Sequence, residues 1–388
     1  MRAGLDGLCA ALGADAARFV GGAVRDTLLA LPVADIDIAC IHLPEESMRR
    51  LKAAGIRVVP TGLRHGTITA VLDGGPVEVT TLRRDVATDG RHATVAFTDN
   101  WRDDAARRDF TINALYADPA DGAISDFFGG LDDLAAGRVR FIGDPLQRIA
   151  EDHLRILRFF RFLSRFGDAP EADALAACTQ RANDLMALSR ERIADEWLKL
   201  LVTRSATATV RLMHDAGILR PVLPEIDAAG LARLDALVLR EAAAGIAPDA
   251  VRRLAALLTA GTADAVGARL KLSNAQRRRL ATAAAGGGTA QPQVLAYRLG
   301  VEAAVDRLLL DDAADPDAAS ALLRWQPPVL PLTGGALVAR GIARGPDVAR
   351  LLRMVEERWI AEGFPDEAQV AAFADAAADQ WLRDTSSR

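Results

Sequence analysis

Lysine is nearly missing from this chain: among 388 residues it occurs only at Lys52, Lys199 and Lys271, while alanine, leucine and arginine dominate. That bias favours helix. Cysteine is scarce as well. Cys9, Cys40 and Cys178 are odd in number, scattered and free of any Cys-x-x-Cys spacing. They exclude a disulfide framework and a cysteine-based zinc site, and they suit a reducing compartment. There is no excess of positive charge. The net charge is −5 and the pI about 5.7, which excludes a bulk polycation. Any contact with polyanions must come from local arginine clusters. The start of the chain has no apolar leader, and no run is long and apolar enough to span a bilayer, so a cytoplasmic protein without membrane contact is expected. No fixed-period repeat and no obligate protein partner are evident.

What is present divides unevenly. At this length two or more domains are expected. Short stretches rich in β-branched residues lie at Arg18–Val20, Asp35–Cys40, Ile68–Leu72, Val77–Thr81 and Thr94–Phe97, punctuated by Gly66, Gly74-Gly75-Pro76 and Gly90. Helical patterns run between them. After Gly143-Asp144-Pro145 the pattern turns to long helical periods with no good strand. The expected fold class is α+β: a mixed sheet with helices, followed by an all-α remainder.

The most informative stretch is Phe19–Ile38, FVGGAVRDTLLALPVADIDI. Gly21 and Gly22 let the backbone approach an anion, and the helix behind them carries Arg25 and Asp26. A strand has a side-chain period of two, so Asp35 and Asp37 share one face while Ile36 and Ile38 share the other. Two carboxylates on one face suit a hard divalent cation that shares oxygen ligands with substrate phosphates. Glu78, in Val77-Glu78-Val79, offers a third carboxylate, or is simply a solvent-facing strand residue.

Gly-Gly-x-x-Arg-Asp followed by Asp-x-Asp resembles the head of the nucleotidyltransferases that include bacterial tRNA CCA-adding enzymes and poly(A) polymerases. The resemblance implies a polymerase-β-like head at 1–140, then a helical neck at 141–200, a body at 201–270 and a tail at 271–388. It implies two Mg²⁺ ions held by Asp35 and Asp37. It also implies template-independent addition of C, C and A to tRNA from CTP and ATP. A poly(A) polymerase, an enzyme adding only CC or only A, and a non-catalytic RNA-binding relative stay open. The chain's last residues form no extended basic segment, which weighs against the first of these.

Further segments carry the same likeness. Arg83–Phe97 resembles the family's flexible loop, with Arg83, Asp89, Gly90 and Arg91 as its polar residues; it also reads as a plain surface hairpin. In RRDFTINAL, read as a helix, Asp109 and Asn113 are i, i+4 neighbours. The resemblance places them at sugar hydroxyls, and Arg107 and Arg108 at phosphate, without deciding between the two arginines. The segment RIAEDHLRILRFFRF, read as one helix from Arg148 to Phe162, aligns Glu151, Asp152, Arg155 and Arg158 in a charged stripe.

Cytosine and adenine each show an amino donor beside a ring-nitrogen acceptor; guanine and uracil show the reverse order. A carboxylate beside a guanidinium therefore accepts C or A and opposes G or U. The resemblance assigns that reading to Asp152 and Arg155, with Glu151 and Arg158 in support. Glu191–Leu201 resembles the helix closing the family core. The triple Arg277-Arg278-Arg279 reads equally as an RNA contact or a solvated face. LKLSNAQRRRL at Leu270–Leu280 and PLTGGALVARGIARGPDVARLLRMVEERWIAEGF at Pro331–Phe364 resemble the family tail, with Ala336 where many relatives carry an acid.

Overall fold

The computed structural model describes residues 3–88, 93–286 and 291–386. The chain divides into two compact units. One holds residues 1–227 with 269–272, and the other holds 228–268 with 273–388.

The first unit opens with helix α1 (Leu5–Leu12), strand β1 (Ala17–Val20), helix α2 (Gly22–Leu28), strand β2 (Asp37–Cys40) and helix α3 (Pro44–Ala53). Strands β3 (Arg57–Gly62), β4 (Thr67–Leu72) and β5 (Gly75–Thr81) follow, then β6 (Arg83–Thr88) and β7 (Ala93–Phe97). Helix α4 (Trp101–Ala106), strands β8 (Leu115–Ala117) and β9 (Ile124–Asp126) and helix α5 (Gly130–Ala135) complete the strand-bearing part.

Seven strands form one sheet in the order β3-β4-β5-β2-β1-β8-β9, and β6 and β7 form a separate pair. Only β2 and β5 run parallel, with Asp37 opposite Glu78; the other pairs are antiparallel, so the sheet is mixed. Alternation along β2, β4 and β5 sends Ile38, Cys40, Ile68, Ala70, Val77 and Val79 into a core closed by Leu5, Leu8 and Leu12 of α1 and Leu51 of α3. The period-two pattern explains why these strands were legible.

Strand β3 was not expected. Pro60 breaks its pattern, and the chain tolerates it because β3 is an edge strand with a shifted register between Val59 and Gly62. Strands β8 and β9 are three residues each, too short for periodicity to mark.

Three local expectations are corrected. Strand β2 begins at Asp37, so Asp35 lies in the extended segment before it. Pairing reaches back only as far as the Ile36 carbonyl, which accepts from the Glu78 N–H at 3.3 Å. Arg107–Leu115 forms no α-helix. Helix α4 ends at Ala106, and a 3₁₀ turn covers Thr111–Asn113. Asp109 and Asn113 still meet at 3.0 Å across that turn. The stretch from Arg148 to Phe162 is two helices, α6 (Pro145–Glu151) and α7 (Arg155–Phe166), because Asp152 is extended at φ −151° and ψ 107°.

Segment 83–97 is an antiparallel pair, β6 and β7. Asp89, Gly90 and Arg91 lie outside the described residues.

Helices α6 and α7 continue into α8 (Ala172–Gln180), α9 (Arg190–Leu201) and α10 (Ala206–Asp215). The Asp144 carboxylate caps α6 by accepting from the Gln147 N–H at 2.8 Å, with Pro145 at its first turn. Phe159 of α7 packs on Phe141 at 5.7 Å and on Phe110 at 6.3 Å, so the sheet-bearing part and these helices share one aromatic core. Cys9, Cys40 and Cys178 are buried and unpaired.

Among its described residues the second unit has helices and connecting turns but no strand. It contains α11 (Ala228–Ala243), α12 (Ala250–Leu257), most of α13 (Ala260–Arg269), α14 (Asn274–Ala284), α15 (Pro292–Leu299), α16 (Val301–Leu310), α17 (Pro316–Leu322), α18 (Gly334–Ala339), α19 (Pro346–Ala361) and α20 (Glu367–Ser386). Within it the arginine triple is largely consumed. Arg279 is paired with Asp306 at 2.7 Å, and with Asp249 and Glu302 at 2.9 Å each. Arg277 holds Asp264 at 2.9 Å, and only Arg278 is exposed. The cap of α18 comes from Thr333, whose hydroxyl accepts from the Ala336 N–H at 3.3 Å, so the missing acid at 336 leaves the helix start satisfied. Among the described residues no helix is long and apolar enough to cross a membrane.

Candidate active site

A cavity of about 690 Å³ opens in the first unit, large enough for a nucleotide. Eight arginines and five aspartates among the described residues line it, a positive balance that suits a triphosphate. It gathers Gly21, Gly22, Arg25, Asp26, Asp35, Asp37, Arg83, Arg107, Arg108, Asp109, Asn113, Asp152, Arg155 and Arg158. Glu151 stands behind Arg155, and Glu78 stands beside Asp37 outside the lining.

Gly21 takes φ +69° and ψ −124°, which glycine adopts without a Cβ penalty, and a Cβ there would sit 3.6 Å from the Arg108 guanidinium. Behind it Arg25 is buried. Its Nε donates to Asp26 at 2.8 Å, a second nitrogen reaches the Asn113 side-chain oxygen, and Phe166 lies 4.3 Å beneath the guanidinium. Asp26 is held from the other side by Arg165 at 3.1 Å. Arg25 and Asp26 are therefore a packed strut tying α2 to α7.

Asp35 is exposed and Asp37 half-buried at the cavity wall. Burial raises the Asp37 carboxyl above its ordinary value; Glu78 pushes the same way, Arg108 opposes, and Asp35 adds to the rise. An anionic wall of this kind, with oxygen donors only, fits a hard divalent cation. Asp35 and Asp37 are the residues that would hold it, and the cation would supply charge neutralisation for the phosphates. Among the described residues no three acid, histidine or cysteine side chains converge on one point.

Arg107 and Arg108 both lean on buried Asp104, at 2.8 Å and 3.0 Å. Arg108 also donates to the Tyr116 hydroxyl at 3.1 Å. Burial would raise the Asp104 carboxyl, yet the two arginines hold it down at about 2. Arg108 faces Gly21 and Asp37, whereas the Arg107 carbonyl accepts from Arg155 at 3.1 Å. Asp109 is buried, a change that alone would raise its carboxyl, but Arg158 at 2.6 Å and Asn113 keep it low.

Asp152 and Arg155 enter the same cavity, and their side chains take other partners. The partner of Asp152 is Arg192 of α9, at 2.9 Å and 3.1 Å, and its Oδ1 also accepts from the Leu154 N–H. Arg155 donates through Nη1 to Glu151 at 2.6 Å and to the Arg148 carbonyl at 2.9 Å. Its Nη2 reaches Arg107 at 3.1 Å. A guanidinium has five N–H donors and a carboxylate about four lone-pair sites, so each group keeps capacity for a base edge.

Sequence reasoning missed Arg192, Arg161, Arg165 and Asp104. Arg161 and Arg165 extend the spacing begun at Arg155 and Arg158, so helical periodicity could have found them. No local signal marks Arg192, which arrives from 40 residues away.

Residues 17–140 match a family model described as the poly A polymerase head domain, and residues 169–229 match one described as a probable RNA and SrmB- binding site of polymerase A. The mitochondrial CCA tRNA nucleotidyltransferase 1 of Mus musculus is 34% identical over 366 residues, covering 89% of this chain and 83% of the relative. The chain belongs to the CCA tRNA nucleotidyltransferase family. The CCA-adding enzyme of Leuconostoc citreum is another member-like relative, 41% identical over 206 residues, which is 53% of this chain and 50% of that one. Among solved structures, the CCA-adding enzyme of Bacillus stearothermophilus in complex with CTP aligns with a TM-score of 0.68 at 27% identity, covering 95% and 94% of the two chains. The Thermotoga maritima enzyme complexed with tRNA shares the fold at 21% identity, with a TM-score of 0.67 over 94% and 93%.

Proposed function

We propose that this family member completes tRNA 3′ ends, adding C, C and A from CTP and ATP without a nucleic-acid template. The observation that carries the reading is one cavity holding both the Asp35–Asp37 wall and the Asp152 and Arg155 side chains. The first suits phosphoryl chemistry and the second suits a base edge. In this reading Arg108 faces the phosphates, Asn113 and Asp109 border the sugar, and Asp152 with Arg155 selects C and A. The strut of Arg25 and Asp26 fixes the helix behind Gly21 and Gly22. Two Mg²⁺ ions belong to the same proposal, held by Asp35 and Asp37 with Glu78 alongside. So do a cytoplasmic location and the assignment of head, neck, body and tail to 1–140, 141–200, 201–270 and 271–388.

The test is incorporation of labelled nucleotide into tRNA lacking its 3′ end, with each NTP alone and in combination. Two C additions followed by one A, and no addition from GTP or UTP, are expected. Long A tracts on unrelated RNA would overturn the reading. Asp35→Ala and Asp37→Ala should each abolish both C and A addition while tRNA binding survives. Near-normal turnover of either variant at saturating Mg²⁺ would remove the metal assignment.

A further inference from the structure

A second cavity, of about 550 Å³, lies beside the first in the same unit and is lined by Arg161, Arg165, Lys199, Val202, Thr203 and Arg204. Among the described residues four of the six that line it are cationic and none is acidic. Arg161 and Arg165 line both cavities, so the two adjoin at these side chains of α7. Its other wall is the end of α9 and the turn after it.

The pairing of these cations distinguishes them. Arg161 is largely buried and bound to Glu196 at 2.5 Å, which fixes its position. Lys199 and Arg204 are more than half exposed, and their partners Asp195 and Asp168, at 2.6 Å and 3.2 Å, are themselves exposed. Exposed pairs of this kind contribute little, so a phosphate can take over the cation at small cost. Arg165 is partly exposed and is paired with Asp26 at 3.1 Å.

We infer that this cavity is a phosphodiester subsite for the RNA strand whose 3′ end enters the Asp35–Asp37 cavity. The inference deepens the proposed function and rests on it. The chemistry favours a polyanion strand over a free nucleotide. The cations line a cavity that shares Arg161 and Arg165 with the Asp35–Asp37 cavity, and among the described residues no carboxylate or aromatic ring in the lining offers a base-reading edge. Backbone recognition of RNA by spread cations is sequence-independent and salt-dependent.

The experiment uses the full chain with Lys199→Ala and Arg204→Ala, singly and together, and with Lys199→Arg as a charge-retaining control. Binding of tRNA is measured against salt, and KM for tRNA and for CTP is measured separately. Each alanine change should reduce the slope of log affinity against log salt by about one, and the double variant should raise the apparent Kd and KM for tRNA by roughly tenfold or more near 0.1 M salt. KM for CTP should stay unchanged, and Lys199→Arg should bind as the parent does. An unchanged salt slope in the double variant overturns the subsite. So does a rise in KM for CTP with tRNA affinity unaltered, which would make the groove a nucleotide or pyrophosphate path. A parent chain that binds tRNA but incorporates nothing overturns the activity instead, and the salt slopes then still decide the subsite.

Discussion

Asp104 shows how much of this site is held by a residue that no substrate would touch. It is 1% exposed and accepts from Arg107, Arg108 and the Tyr116 hydroxyl. Asp104→Asn should cost about 3 kcal/mol or more in denaturant unfolding, because it leaves two inward-facing guanidiniums short of their counter-charge. Its carboxyl sits at about 2 in the fold against 3.8 when unpaired. A depressed folded value contributes stability above the unfolded value and loses it as pH falls through the folded one. The parent should therefore lose stability between about pH 4 and pH 2, and Asp104→Asn should flatten that window; equal slopes in both proteins would contradict the assignment. Arg155 belongs to the reading of the base. Arg155→Ala removes the donors that would oppose the ring N–H of U and G, and a lost charged hydrogen bond costs about 1.5–3 kcal/mol. Discrimination in kcat/KM against UTP and GTP should fall by roughly ten- to a hundredfold. Because Arg155 also bonds the Arg107 and Arg148 carbonyls, overall turnover should drop too. An equal fall for all four NTPs would leave Arg155 only a strut.

At the scale of elements, the break between α6 and α7 is the decisive local feature. Leu154 N–H bonds back to Asp152 and Arg155 N–H to the Asp152 carbonyl, so the break itself presents the acid and the start of α7 presents the arginine. The β6–β7 pair is the other such element. The Phe97 ring of β7 lies 2.8 Å from where a Cβ on Gly66 would be, and Arg83 of β6 donates to the His65 carbonyl, so the base of the hairpin is anchored on the turn before β4. Shortening the segment between Arg83 and His92 should leave that base in place and reduce A addition more than C addition. Product ladders resolved by length measure this, and an equal loss at all three steps would refute it.

For the whole molecule, every residue lining the two cavities discussed belongs to the first unit. The second unit keeps its own apolar cluster around Trp359, Leu351, Val355 and Phe373, joined by Tyr297. A chain ended after Trp325 loses most of that cluster and none of the cavity. It should retain slow incorporation while KM for tRNA rises by roughly tenfold. A soluble truncation with parental KM would exclude a tRNA role for the tail.

The sequence by itself determined the α+β class, the change to helix after Pro145, the core strands β2, β4 and β5, and many but not all of the residues that line the cavity. These are local matters: period-two and helical spacing, glycine and proline positions, and a dense motif in Phe19–Ile38 all act within a few residues. Tertiary structure decided the rest. Asp35 lies outside the strand that carries Asp37 because β2 finds ladder partners in β1 and β5 only from Asp37 on. Asp109 meets Asn113 across a 3₁₀ turn rather than along an α-helix, and Arg158 of α7 secures it from 49 residues away. Arg192 reaches Asp152 from α9, and Arg279 is spent on Asp306 within the second unit. Such pairings depend on which helix packs where, and a buried charge takes whatever partner the packing brings. Spacing along one chain segment carries no record of that choice.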